Sequence, residues 1–359
     1  MFRNGVYLYK KQMILQLAVS LVATVVSSPV RAQAGRVAAA QIPSPRVLFP
    51  SSQRVLFDSS AFWTPGAPIP YADRGYLISH RIESFSPGTP NVMLYGQHGQ
   101  KVREAAIWFP ESTRVTVSSA AVTPDGRIVA SGEADKADGT IAPFIALTDL
   151  SGNVTDSIQT KDFYPHNVCV APDRTVWGFG GTRWDEANGR WLPGNLLRHY
   201  DFQRGELAGY IARSTYPVPS LPDTQTLIRC SSAEVAIFSG PENTYILMPY
   251  EAKGPRLYDA TLPAGLWLIG FGIFGSGNAY AALISRERAD NSKQGLYSME
   301  LDEVAKAVRW SPVDGAVGPR TGPPMVVKLW GTDGEYLVLG RSQDPAGSAA
   351  VHWAKVSER

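Results

Sequence analysis

Of the five histidines in this 359-residue chain, His166 is the best placed to do chemistry. It stands in Tyr164-Pro165-His166-Asn167-Val168, at the opening of an apolar run. An imidazole there can act as general base or metal ligand near neutral pH. The plainer alternative is a histidine bonded to a backbone carbonyl at a strand start. Residues 181–191 (GTRWDEANGRW) come next, with Arg183, Trp184, Asp185, Glu186 and Trp191 in one short loop. Tryptophan offers a flat surface for sugars or other rings, and arginine can clamp an anion. The same tryptophans could instead pack on neighbouring structure around an Asn188-Gly189 turn. Together with Asn167, these residues are the candidate ligand-binding set. Asp135 and Asp138 are weak candidates for an oxygen-rich cation site, but their spacing does not follow the alternating ligands of an EF-hand loop. A solvated acidic turn is the simpler reading.

The elements that must position these residues are visible as a repeat. Ser119-Ala120-Ala121-Val122-Thr123-Pro124-Asp125-Gly126-Arg127-Ile128-Val129 returns 48 residues later as Asn167-Val168-Cys169-Val170-Ala171-Pro172-Asp173-Arg174-Thr175-Val176-Trp177. Each copy reads as apolar strand, tight turn, apolar strand, and looser copies give turn positions near Arg74, Ala233, Gly277 and Gly334. The spacings run from 44 to 59 residues, which suits units of four short antiparallel strands of about 45–55 residues. Such a period predicts an all-β propeller, with six four-stranded blades favoured and five or seven as alternatives. Second hairpins are expected within residues 91–107, 144–158, 196–211, 245–262 and 295–310. Residues 299–308 could form a short helix or an outer strand with its turn. The last unit supplies three strands, so part of residues 45–57 is expected to add its fourth and close the edge.

The phrase from Pro165 to Trp177 resembles the inner hairpin of secreted bacterial propellers of the NHL-repeat, lactonase-like and lyase-like groups, whose form is apolar-x-apolar-x-Pro-Asp-Gly-x-apolar-Trp. The copy at 120–129 is similar to it as well. The resemblance implies an architecture more than a reaction. It places His166 at the mouth of a central channel, on the face where the loops gather and where related propellers often hold ligands or metal.

Residues 1–34 read as a secretory signal peptide: a basic start at Arg3, Lys10 and Lys11, an apolar core at 13–26, and Ala32-Gln33-Ala34 for cleavage. The apolar run falls short of the roughly 20 residues of a membrane span. Removing the leader takes away four basic residues and no acid, turning the formal charge of +2 into −2. No basic footprint for nucleic acid remains. The expected mature protein is one exported domain, 35–359, monomeric and without a membrane span. Export makes a Cys169–Cys230 disulfide chemically allowed. The divergence of inner strands in neighbouring units argues for the alternative, two buried free thiols. The sequence contains no GxSxG, HExxH, P-loop or CxxC pattern. Two functions follow as expectations: a module that binds a small molecule, glycan or protein through its loop-rich face, or a calcium-assisted lactonase-like hydrolase or lyase.

Overall fold

Turn chemistry sets the sheet architecture. In the computed structural model, which describes residues 53–56, 71–79, 83–96, 100–185, 187–215, 226–239, 243–251, 254–273, 279–285, 292–317, 328–330, 337–343 and 349–353, residues 123–127 form a hairpin loop. The Thr123 N–H donates to the Arg127 carbonyl and the Gly126 N–H to the Thr123 carbonyl, both at 2.9 Å. Gly126 sits at φ +81°, and Arg174 takes the matching left-handed position at φ +70°. A side chain there costs about 1 kcal/mol. The Asp173 carboxylate offsets part of this by accepting the Thr175 N–H and hydroxyl at 3.0 and 2.7 Å. Pro-Asp-Gly and Pro-Asp-Arg therefore close the same turn.

Strand β1 (Gln53–Leu56) is the first described strand and belongs to the last sheet. β2 (Tyr71–Asp73), β3 (Tyr76–Ser79), the two-residue β4 (Glu83–Ser84), β5 (Val92–Tyr95) and β6 (Lys101–Ala105) follow, and β2-β3-β5-β6 make the first antiparallel sheet. β7 (Ser112–Val122), β8 (Ile128–Lys136), β9 (Ile141–Thr148) and β10 (Val154–Gln159) make the second, with β4 on the outer edge of β7. β11 (Phe163–Val170) and β12 (Val176–Thr182) open the third. A small hairpin, β13 (Trp184–Asp185) with β14 (Arg190–Trp191), interrupts it before β15 (Asn195–Asp201) and β16 (Gly205–Ala212) complete it. β17 (Thr226–Cys230), β18 (Glu234–Ser239), β19 (Thr244–Pro249) and β20 (Arg256–Asp259) form one meander. β21 (Leu266–Ile273), β22 (Ala279–Ser285), β23 (Gly295–Asp302) and β24 (Ala307–Val317) form another. The two are joined by one parallel pair, Asp259 opposite Ala307. β25 (Lys328–Trp330), β26 (Leu337–Gln343) and β27 (Ala349–Trp353) end the series. β1 lies antiparallel to β27, with Gln53 opposite Trp353. Residues 299–308 thus run as strand, turn and strand. The fold is all-β. Among the described residues the helical content is a single 3-10 turn at Arg213–Thr215, and no helix is long and apolar enough to cross a membrane. The expected signal peptide at 1–34 and the expected turns near Gly277 and Gly334 lie outside the described residues.

The core explains why the inner strands read as continuous apolar runs. Side chains alternate along a strand, so each face meets a different neighbour. Ala120, Val122, Ile128 and Ala130 pack toward the first sheet, against Ile78, Val92 and Leu94. Ala121 and Val129 point the other way, against Phe163, Val168 and Val176 of the third. Trp177 and Phe179 then meet Ile228, Val235 and Ile237 of the fourth meander. That meander packs through Phe238, Tyr245 and Tyr258 on Phe271 and Leu283 of the fifth.

Inner strands also carry an unpaired edge, and here it is covered. The Val122 N–H donates to Asp73 Oδ2 at 2.7 Å, and its carbonyl accepts from Arg74 Nε at 2.9 Å. Arg74 Nη2 reaches on to the Val170 carbonyl at 2.8 Å, so one guanidinium ties the inner strands of the second and third sheets to the first turn. Cys169 and Cys230 are joined by a disulfide across β11 and β17, with Cα atoms 5.5 Å apart. This corrects the expectation of free thiols: near their inner turns the two strands share one apolar cluster and approach closely enough to bridge.

Candidate functional site

His166 owes its placement to a bulge. In the β11–β12 ladder Tyr164 pairs with Gly181 and Asn167 with Phe179, so Pro165 and His166 together face Gly180. Pro165 has no N–H for the ladder, which suits an interrupted register. A Cβ on Gly180 would lie 1.9 Å from the Tyr164 carbonyl oxygen and 2.9 Å from the His166 nitrogen. Only glycine lets the bulged backbone sit this close. The second sheet repeats the device: Ser118 is the extra residue between Val117 and Ser119, and a Cβ on Gly132 would lie 1.9 Å from the Thr116 oxygen. A third interruption lies between Leu268 and Gly270 in β21. Ser118 and His166 share one position relative to their inner turns. Bulges re-aim side chains, and His166 is aimed into a pocket.

The 181–191 loop is a projecting hairpin. The Leu192 N–H donates to the Arg183 carbonyl at 2.8 Å, and Thr182 Oγ1 donates to the Leu192 carbonyl at 2.6 Å, fixing its base. Trp184 pairs across the strands with Trp191. Their rings meet edge to face at 4.8 Å and 69°, a contact of roughly 0.5–1.5 kcal/mol beyond area burial. Arg213 covers the Trp191 ring at 4.9 Å. Trp184 stays 42% exposed. The Asp185 carboxylate braces the turn: it accepts from the Asn188 side-chain amide at 2.6 Å, which holds its pKa below the usual carboxylate range. Gly189 supplies the positive φ of the loop, +58°.

These pieces line a pocket of about 900 Å³ between the second and third sheets. One wall is Glu133 on β8 with Gly139 and Thr140 from the β8–β9 turn and Ile141 at the start of β9. The other is Tyr164 and His166 on β11 with Thr182, Arg183, Trp184, Trp191 and Leu192. The volume lies within the range of small-molecule sites, about 300–1,000 Å³. Glu133 is half-buried. Burial pushes its carboxyl upward, the nearby Asp135 adds to this, and Arg114 opposes it. Among the described residues the Glu133 carboxylate accepts no hydrogen bond. Burial also raises the Tyr164 phenol, reinforced by Glu133 and opposed by Arg183.

The structure thus brings His166, Arg183, Trp184, Asp185 and Trp191 to one pocket. Glu186 lies outside the described residues. Asn167 does not line the pocket; it is 8% exposed within β11. Asp135 and Asp138 each hold partners within the protein. Asp135 pairs with Arg114 at 2.6 Å. Asp138 accepts the Thr140 N–H and hydroxyl at 2.9 and 2.6 Å, closing its own turn. Among the described residues no three His, Cys, Asp or Glu side chains converge as metal ligands would. Sequence reasoning missed Tyr164, which sits two residues before His166, and gave Glu133 no role beyond an acidic turn.

No family model matches the chain, and no curated relative matches it. Solved structures with some likeness include a luciferin-regenerating enzyme, at 12% identity over 86% of this chain and 99% of that one, with a TM-score of 0.44. A protein assigned to export from Bacteroides fragilis gives 7% identity over 86% and 95%, with a TM-score of 0.44. A protein of unknown function from Bacteroides caccae gives 10% over 71% and 82%, with a TM-score of 0.42. Likeness at this level establishes no common family.

Proposed function

We propose that this chain is an exported β-propeller of six four-stranded blades, residues 35–359, which binds a small ring-bearing ligand in the pocket between its second and third blades. The repeated order of four antiparallel strands supports the architecture, as does the chain of apolar clusters joining each sheet to the next. So does the pairing of β1 with β27, which gives the last meander its fourth strand.

One observation carries the functional reading. The bulge at His166 and the tryptophan hairpin put aromatic surface and unlike polar groups around a single pocket of ligand size. Trp184 offers ring surface to a ligand, while Tyr164, His166 and Glu133 offer groups that fix its orientation. The hairpin is braced by its own bonds, so little ordering is needed on binding.

Thermal-shift screening of the mature chain against sugars, aromatic acids and aromatic amines tests this. A binder should raise Tm and perturb tryptophan fluorescence, and Trp184→Ala should abolish both while leaving the unliganded Tm within a few degrees. Binders whose effect survives both Trp184→Ala and His166→Ala would sink the assignment to this pocket.

A further inference from the structure

The Glu133 carboxylate takes no hydrogen bond from the protein among the described residues, and its oxygens stay open to the pocket. A partly buried carboxylate of this kind gains from a cationic partner. Asp135, its neighbour on β8, has Arg114. Glu133 has no hydrogen-bond donor among the described residues, yet it faces a pocket walled by Tyr164, Trp184 and Trp191. Ring faces and a carboxylate attract the same kind of group, since aromatic quadrupoles and anions both favour cations.

We propose that the pocket selects ligands in which a ring carries a primary ammonium or amidinium group, with Glu133 as its counter-ion and the tryptophan hairpin as the surface for the ring. This rests on the binding role proposed above and names its ligand class. Arg183 at the rim limits the positive charge the pocket accepts, so a single cationic head is favoured over a polycation. Burial holds a proton on Glu133 to higher pH than usual, and an arriving cation displaces it. Affinity should therefore rise with pH through the Glu133 titration. The groups facing Glu133 or sharing its pocket are Asp135 on its own strand, Arg114 on β7, Tyr164 and His166 on β11, Arg183 beyond β12 and Asp185 on β13, whose carboxylate is held by Asn188.

Isothermal titration of the mature protein with tryptamine, benzamidine, 2-phenylethanol and phenylacetate between pH 5 and 8 is decisive. The two cations should bind at least roughly tenfold tighter than the neutral and anionic probes. Glu133→Gln should cost them about ten- to a hundredfold, as expected for a charged hydrogen bond. It should also flatten the pH dependence. A Tm for Glu133→Gln at or above that of the parent chain certifies the fold. Equal binding of all four probes, or cation binding untouched by Glu133→Gln, overturns the ligand class but leaves the binding role standing. No binding by any ring compound in the wider screen overturns both.

Discussion

Replacing Gly180 by alanine should loosen the bulge that aims His166, and the size of the effect follows from the backbone. The added Cβ would sit 1.9 Å from the Tyr164 carbonyl oxygen and 2.9 Å from the His166 nitrogen. Both obstacles are main chain, so no rotamer change relieves them. Overpacking of this kind costs about 1–3 kcal/mol, and contact with backbone places it near the top of that range. Two residues earlier on the same strand, a Cβ on Gly178 would first meet Phe163 and Pro165 at 3.4 Å, an ordinary contact. Gly178→Ala should therefore change stability by under about 1 kcal/mol. For a domain of this length 1 kcal/mol moves Tm by roughly 1.5–2 °C. Gly180→Ala is expected to lower Tm by about 5 °C, and Gly178→Ala by no more than about 2 °C. Differential scanning fluorimetry ranks the pair, and urea melts give the free energies. Equal Tm values for the two variants would refute the claim that the bulge depends on glycine. Retention of full ligand affinity by a destabilised Gly180→Ala would detach the bulge from the pocket.

Other consequences can be measured on the same protein. Arg74→Met removes two charged hydrogen bonds to strand carbonyls; a loss of about 2–4 kcal/mol is expected in urea melts, and no change would show that the guanidinium is not a tie. Reducing the Cys169–Cys230 bond, which closes a loop of 61 residues, should lower stability by about 4 kcal/mol in the chain-entropy picture, read as a dithiothreitol-dependent Tm absent from the double serine variant. His199 stacks on Trp177 at 4.2 Å, and burial lowers its pKa from 6.5, against a smaller opposing effect of Asp173. The folded state then binds fewer protons than the unfolded, so stability falls as pH drops below about 6.5 toward the lower folded value. His199→Phe should remove that part of the Tm–pH curve, and an unchanged curve would assign the slope to other groups. Glu133 has the opposite sign: its raised value makes the folded state bind more protons, so its ionisation costs stability as pH rises above 4.5. The Tm difference between parent and Glu133→Gln should grow over that window.

The parts of the fold legible in the sequence are those written in local chemistry. Pro-Asp-Gly and Pro-Asp-Arg marked inner turns because a left-handed residue and a capping carboxylate are needed there. Apolar residues on both strand faces marked burial between two sheets. The contribution of residues 45–57 followed from an edge that had to be covered. What stayed hidden depends on distant partners. The bulge at His166 arises from the fit of Gly180 under the Tyr164 carbonyl, and glycine in a strand has several other causes. Glu133 stood among acidic neighbours and looked solvated; only the packing of the next sheet withdraws it from water. The thiols were misjudged because the divergence of neighbouring strands varies along a sheet, and the cysteines sit where it is small.

The pairing of β1 with β27 has a consequence for how the chain reaches its final form. Residues 53 and 353 face each other, so this contact joins strands that lie far apart in the sequence. The first five meanders can assemble on neighbours close in the chain, each adding one interface to the last. The final sheet cannot, because its outer strand was made first and its remaining strands were made last. Until residue 353 is available, β1 has no partner and the growing array keeps an open end. Completion is thus a single late event that couples the two ends of the chain. A cut or insertion that unties either end should release the last sheet as a unit and leave the earlier meanders, with the pocket between the second and third, still folded.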